Sequence, residues 1–374
     1  MADSCLQVSP GVRLTPPSPL TGEKWFADDL AQKRRFRVSA PVSAALIFCM
    51  SSQPRSSVVA FVSRRLPDAE ANETVDRLVE QRLLLDATAA ERDPRVAWFK
   101  SIESSWERAN WRLAADYHLA TWDYPCLDYS TQDGGFTADR ALMREFNAVA
   151  PDLARYKVSP GVAWRRSLPA QQPDLAPIPV AEVWQRQAER TWRTSGLTFG
   201  QLSVVLSLTF GIKSELEVRP PAAPHIRRTS PSGGSRHPTE AYVVAVNVDG
   251  LPAGWYHVCM KGEDDRPALD LLIDGGIEDE ELRRIFPSSY RRAPFDVGAI
   301  VVLTSVFERN MYRYREPRTF RTVHMDAGHL AATATILANA LSRRTSVEYS
   351  DLAVEERLGL SPLEEGYLLT MLIG

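Results

Sequence analysis

Three short stretches of the chain concentrate residues able to grip and tune a ligand. Arg190, Thr191 and Arg193 set two guanidinium groups beside a hydroxyl, the donors that a terminal phosphate takes. Pro231, Ser232, Gly233 and Gly234 follow, with Arg236 and His237 beside them. Adjacent glycines free the backbone and remove the side chains that would block a flat ligand. Tyr312, Arg313 and Tyr314 then gather with Arg318, Arg321, His324 and His329, phenols and basic groups that could move a proton. A phosphate grip, a bare main-chain edge and a proton-handling group together complement a flavin mononucleotide (FMN). Each stretch has a plainer reading: paired arginines on a solvated surface, a His-Pro turn, an Arg-rich loop facing water.

These groups need elements to hold them. "AYVVAVNV" after the glycines is apolar at nearly every position, which predicts a central strand buried on both faces. "FDVGAIVVLTSVF" predicts a second such strand, "LPAGWYHV" and "ALDLLI" a hairpin, and "GYLLTMLIG" a last strand. "LTFGQLSVVLSLTFGI" reads as an amphipathic helix opened by a Thr198/Gln201 capping box. "MDAGHLAATATILANALSRR" reads as a long helix with Asp326 as its cap. Arg343 and Arg344 suit its C-terminus and join the cofactor-binding candidates. This pattern predicts an α+β sandwich around a mixed sheet. The small residues Ala331, Ala332, Ala334 and Ala338 suit close helix contact, inside one protomer or across a homodimer.

Upstream, residues 1–36 are rich in Pro and Ser and read as a loosely ordered tail. Residues 37–92 give strand, three helices and an edge strand, the order of a winged-helix-like domain. No helix there carries a dense basic and amide face for base reading, so peptide docking and plain structural packing both stand ahead of nucleic acid. Residues 93–174 read as a helical connector and Pro-rich linker. Trp111, Ala115, His118 and Trp122 share a helix face that should be buried between neighbours, and the best domain boundary lies in "SLPAQQPDLAPIPVAE". Residues 175–374 form the flavin domain.

Composition narrows the classes further. A formal net charge of −3 gives no bulk attraction to nucleic acid or membrane. The 4 Cys stand far apart without a CxxC pair, which argues against a zinc site or a disulfide framework and for a reducing, cytoplasmic setting. No apolar run is long enough to span a bilayer. The last lysine is Lys261, so no lysine chemistry is available beyond it.

The order of the motifs resembles the nitroreductase fold, and within it the SagB/ThcOx-type dehydrogenases. The likeness rests on R-T-W-R at Arg190–Arg193, P-S-G-G-S-R-H-P-T-E-A-Y at Pro231–Tyr242, and Arg318 to His329. It covers roughly residues 175–374, and the front of the chain resembles that branch's N-terminal extensions. The resemblance implies a homodimeric FMN-dependent oxidoreductase that turns azolines into azoles in ribosomally made peptides, alongside biosynthetic partner proteins. It assigns Arg318, Arg321 and His329 toward substrate. A Lys-Tyr pair credited there with proton removal is replaced here by Arg313-Tyr314. Arginine cannot serve as a base, so Tyr314 or Tyr312, its pKa lowered by neighbouring arginines, would carry the proton. Two other readings stay open: an NAD(P)H-dependent reductase of nitro, quinone or enone acceptors, and a winged-helix binding or scaffold protein with a non-catalytic flavin domain.

Overall fold

The structure, a computed structural model, describes residues 4–19, 22–123, 134–158, 162–169, 178–189, 196–217, 223–262 and 265–374. Two compact units emerge, Met1–Cys126 and Leu127–Gly374.

In the first unit, the three expected helices are Ala40–Phe48, Arg55–Ser63 and Asp68–Glu80. Leu46, Val58, Val62, Val75 and Leu78 from all three close into one core. Leu84–Asp86 pairs antiparallel with Cys5–Val8, which also pairs with Gln53–Pro54. Val12–Thr15, Trp25–Asp29 and Arg34–Val38 make a second three-stranded sheet. The stretch read as a loose tail therefore supplies strands to both small sheets. Strands of four or five residues interrupted by Pro16, Pro17 and Pro19 carry too little alternation to be seen in sequence.

The aromatic stripe also resolves differently. Helix Pro94–Arg108 stops and Arg112–Thr121 begins anew, because Asn110 adopts a left-handed φ of 59°. Trp111 thus precedes a helix start. It is 62% exposed and Trp122 is 49% exposed, while Ala115 is buried. Trp106 instead stacks on His118 at 5.6 Å.

The second unit is built on a seven-stranded sheet. Its order is Thr345–Glu348, Glu365–Ile373, Ala299–Val306, Thr239–Ala245, Gly254–Cys259, Ala268–Asp274 and Arg165–Ser167. Every neighbouring pair is antiparallel, which corrects the expectation of a mixed sheet. Among the described residues the parallel pairing is confined to Val248–Asp249 with Leu197–Thr198.

Thr239–Ala245 is buried at all positions because both of its faces are covered. Ala241 and Val243 join a core with helices Phe199–Phe210 and Thr319–Ala340. Tyr242 and Val244 join another with Trp255, Ile285 and Phe286. Each fully buried Val or Leu there contributes about 1.5–3 kcal/mol.

Thr198 and Gln201 form the reciprocal capping box. The helix they open is buried on nearly all sides rather than amphipathic, since it lies between sheet and long helix. The long helix begins at Thr319, so Asp326 lies inside it and caps nothing. Arg165–Ser167, placed by sequence in the connector, extends the sheet edge. The two units divide after Cys126, well before the Pro-rich stretch, of which residues 170–177 lie outside the described residues.

Candidate functional site

The glycine motif sits where the buried strand begins, and its two halves are held differently. In the front half, Ser232 Oγ donates to Asp326 Oδ2 at 2.6 Å and the Gly233 N–H to Oδ1 at 3.0 Å. The His237 N–H donates back to Ser232 Oγ at 2.9 Å, and the Ser230 and Thr333 hydroxyls lie 2.6 Å apart. Asp326, mid-helix, is thus the clamp that lays the loop along the helix. Burial raises its pKa against the pull of these two donors.

Gly234 has a φ of 61°, a left-handed value that favours glycine. A Cβ on it would overlap the Tyr314 hydroxyl, and one on Gly233 would overlap the Thr322 methyl. The glycines were expected to leave open space for a ring; their Cβ side is instead filled by the protein's own side chains. The approach left to a flat group is the main-chain edge of the loop and the exposed face of the helix at Gly328 and His329. Ser232 to Gly234 and His329 are the residues that could lie along the ring end of a flavin. Arg190, Thr191 and Arg193, assigned to its phosphate, lie outside the described residues.

The back half turns inward. Arg236 is 3% exposed. It donates to Asp152 Oδ1 at 2.7 Å and Oδ2 at 3.2 Å, and through Nε to the Arg309 carbonyl at 2.5 Å. Arg155 grips the same carboxylate at 3.0 and 2.6 Å. Burial alone would raise the Asp152 pKa; the two arginines hold it well below the usual carboxylate range.

His237, with a φ of 47°, places Nε2 3.0 Å from the Ile226 carbonyl, so that nitrogen carries the proton. Burial and the Arg228 charge push its pKa down to about 3. Glu240 lies deeper: its carboxylate meets Arg309 at 2.6 Å, His257 at 3.0 Å and the Lys157 N–H at 3.0 Å. Burial opposes its ionisation, yet Arg309 and His257 hold its pKa at about 2.

The tyrosines separate in role. Tyr312 is buried, its hydroxyl bonded to Asn147 and, at 3.2 Å, to the Ala150 carbonyl. Burial and the Asp152 charge raise its pKa, the opposite of the lowering expected from nearby arginines. Tyr314 is the one set against the glycines. Arg313 pairs with Asp139 and lies 5.1 Å over the Tyr314 ring.

Arg318, His324 and His329 are exposed and Arg321 is half-buried, in or beside the first turns of the long helix. Arg343 is buried and donates to the Gly196 carbonyl at 2.9 Å and Gln201 Oε1 at 2.7 Å. It therefore ties the helix end to the residue just past the Arg190–Arg193 stretch. Arg344 is exposed, with its backbone paired to Gly374.

Sequence reading missed Asp152, Arg155 and Arg309: Asp152 and Arg309 meet Arg236 and Glu240 far along the chain, and Arg155 joins through Asp152, its near neighbour in sequence. It also missed a lysine–tyrosine contact: Lys157 Nζ lies 3.0 Å from Tyr242 Oη and 2.8 Å from Glu365. Tyr242 belongs to the core on the sheet face away from the long helix, so this pair is not at the glycine loop. Among the described residues no cluster of His, Cys, Asp and Glu is set to hold a metal, and no helix is long and apolar enough to cross a membrane.

With the motif residues in these positions, sequence comparison with known proteins relates the chain to nitroreductase-type proteins. More particularly, it is related to the trifolitoxin-processing protein TfxB of Rhizobium leguminosarum bv. trifolii. The two are 34% identical over 152 residues, which is 40% of each chain. The chain's match thus spans about two fifths of that relative's length. A Methanocaldococcus jannaschii protein provisionally named a nitroreductase, MJ1384, is 27% identical over 176 residues, 47% of this chain and 80% of its own.

Among solved structures, a provisionally named nitroreductase from Anabaena variabilis is similar at a TM-score of 0.48 and 20% identity, over 70% of this chain and 46% of its own. The Escherichia coli microcin synthetase McbBCD complex with a truncated pro-MccB17 bound overlaps at 0.40 and 18%, over 64% of this chain and 93% of that one. A Desulfovibrio desulfuricans protein of the same provisional name, solved with FMN, overlaps at 0.33 and 13%, over 53% and 87%. These structural overlaps are likenesses of outline only. No family model matches.

Proposed function

We propose that the chain is an FMN-dependent oxidoreductase acting on a peptide or peptide-like intermediate, by an azoline-to-azole or related two-electron oxidation. One observation carries this reading: Tyr314 and Asp326, both from the third motif, converge on Gly234 and on Ser232–Gly233 of the second. Stretches separated by some eighty residues of sequence thereby make one site. Relation to a trifolitoxin-processing protein supports the peptide part of the reading.

Ser232 to Gly234 and the helix face at His329 would hold the ring end, and Arg190, Thr191 and Arg193 the phosphate. When bound, a flavin supplies a two-electron acceptor. The chain's own part is to orient the substrate and to take its proton at the Tyr314 phenol oxygen. Tyr312 is committed to Ala150 and Asn147 and takes no part. Asp326 acts as a positioning residue, holding the loop against which Tyr314 rests. A homodimer and biosynthetic partner proteins belong to the same proposal, with the first unit as a peptide-docking module.

The test uses the full chain purified with FMN. Flavin absorbance should be present and should vanish in Arg190→Ala/Arg193→Ala. Tyr314→Phe should retain the flavin while slowing its reduction by a thiazoline peptide about a hundredfold. A chain that takes up no FMN overturns the whole reading. Rapid anaerobic bleaching by NADPH, with no response to thiazoline peptides, would transfer the protein to the reductases of nitro, quinone or enone acceptors.

A further inference from the structure

The residues around Tyr314 are tied to a helix that the proposed chemistry does not use, Gly134–Val149. Arg313 pairs with Asp139. The Tyr312 hydroxyl bonds Asn147 and, at 3.2 Å, the carbonyl of Ala150 just past the helix end. The Arg315 guanidinium lies 3.8 Å from the centroid of the Phe146 ring. Tyr314, in the midst of them, is turned instead to the glycine loop, its hydroxyl against Gly234.

The pattern of the helix matches this contact. Asp139, Phe146, Asn147 and Ala150 recur at helical spacing along one side. Asp139, Phe146 and Asn147 are half-buried, whereas Arg140, Ala141, Arg144, Glu145 and Ala148 are exposed. The residues that meet 312–315 are thus on the covered side of the helix.

The backbone of Tyr314 has little else to fix it. The Tyr312, Arg313 and Tyr314 N–H groups donate to the Glu308 and Asn310 carbonyls at 2.8, 3.2 and 2.9 Å, a single turn that prolongs Glu308–Met311. One turn is too short to be stable by itself. A group that takes a proton must stay within hydrogen-bond reach of it, and a misplacement of about 1 Å can cost a hundredfold in rate. A partly exposed ion pair such as Arg313–Asp139 adds little to global stability, so its effect is on placement.

We propose that this helix is the positioning element for Tyr314, with Asp139 and Asn147 as positioning residues, and that Arg313 is a tether to it and not a proton carrier. The proposal rests on the reading of Tyr314 as the proton acceptor and adds the part of the chain that keeps the phenol in place.

The full chain purified with FMN is the material, and amide hydrogen exchange read by mass spectrometry is the first measurement. Asp139→Asn should speed exchange over residues 312–314 about tenfold, leaving Thr239–Ala245, the urea midpoint and the flavin content unchanged. Asn147→Ala, which loosens Tyr312, should act in the same direction by a smaller factor. In single-turnover reduction of the flavin by a thiazoline peptide, Asp139→Asn should lower the limiting rate about tenfold without changing the half-saturating peptide concentration. Asp139→Glu, and the charge reversal Asp139→Arg/Arg313→Asp, should recover most of that loss. Added to Tyr314→Phe, Asp139→Asn should slow the reaction no further, since it acts through the phenol.

Unchanged exchange over 312–314 in Asp139→Asn overturns the proposal, as does a rate loss that adds in full to that of Tyr314→Phe. A lower urea midpoint with faster exchange in the sheet does so too, because it makes the helix a general support. A wild-type chain that leaves the thiazoline peptide unoxidised sinks the oxidoreductase reading instead. The exchange of 312–314 then decides the tether alone, and faster exchange in Asp139→Asn upholds it.

Discussion

The two halves of the Ser232–Glu240 segment are neighbours in sequence and opposites in environment. Ser232, Gly233 and Gly234 lie on the long helix through one carboxylate and two close contacts. Arg236, His237 and Glu240 are sunk among Asp152, Arg155, Arg309 and His257. A motif that looks like one ligand-binding unit is therefore half buried anchor and half, on the proposed reading, working edge. Guanidiniums and imidazoles count toward a ligand only when the fold has not already spent their donors.

The contrast is open to measurement. Arg309→Met should do the greatest harm, because it leaves Glu240 buried with its nearest cation gone. Breaking such a pair typically costs about 3–5 kcal/mol, read as a lower urea midpoint, so flavin uptake would fall only by way of unfolding. Loss of flavin from a fully stable Arg309→Met protein would move the back half to the working side.

Acid should find the anchor next. Glu240, with a folded pKa of about 2 against roughly 4.3 when unfolded, adds stability that is complete above the unfolded value and disappears as pH falls through the folded one. His237 works in the same sense: the unfolded chain takes a proton near pH 6.5 and the folded chain only near 3. Below 6.5 the unfolded state binds more protons, so stability falls with falling pH. Urea midpoints should therefore decline from about pH 6.5 toward 2. Midpoints flat to pH 3 would show these groups to be solvated.

The working edge should give the smaller effect. Gly234→Ala forces a side chain into a left-handed conformation, at about 1–2 kcal/mol, and into the Tyr314 hydroxyl. Adding Tyr314→Ala should return part of that loss, since the overlap goes and only the backbone penalty stays. A double-mutant cycle with no coupling would mean that Tyr314 does not rest on Gly234.

Much of the second unit was legible because it obeys local rules. The buried strands, the hairpin and the Thr198/Gln201 cap each follow from neighbouring residues. The start of the long helix was not, since Asp326 looks like a cap in sequence and only the distant Ser232 shows its other use. Arg236 read as a ligand group for the same reason: Asp152 stands 84 positions upstream. Antiparallel pairing throughout the sheet was equally hidden, because strand direction depends on the paths of the connections. The front strands escaped because four-residue segments between prolines show no period.

The edge strand Arg165–Ser167 carries a consequence for how the chain is made. Its partner Asp270 lies 105 positions later, so during synthesis this strand must wait, with its hydrogen-bonding groups unmatched, until the other has emerged. Unsatisfied strands of that kind recruit foreign strands. Two consecutive arginines repel a second copy of the same segment, and Arg165 gives up that guard duty when it meets Asp270 at 2.5 Å.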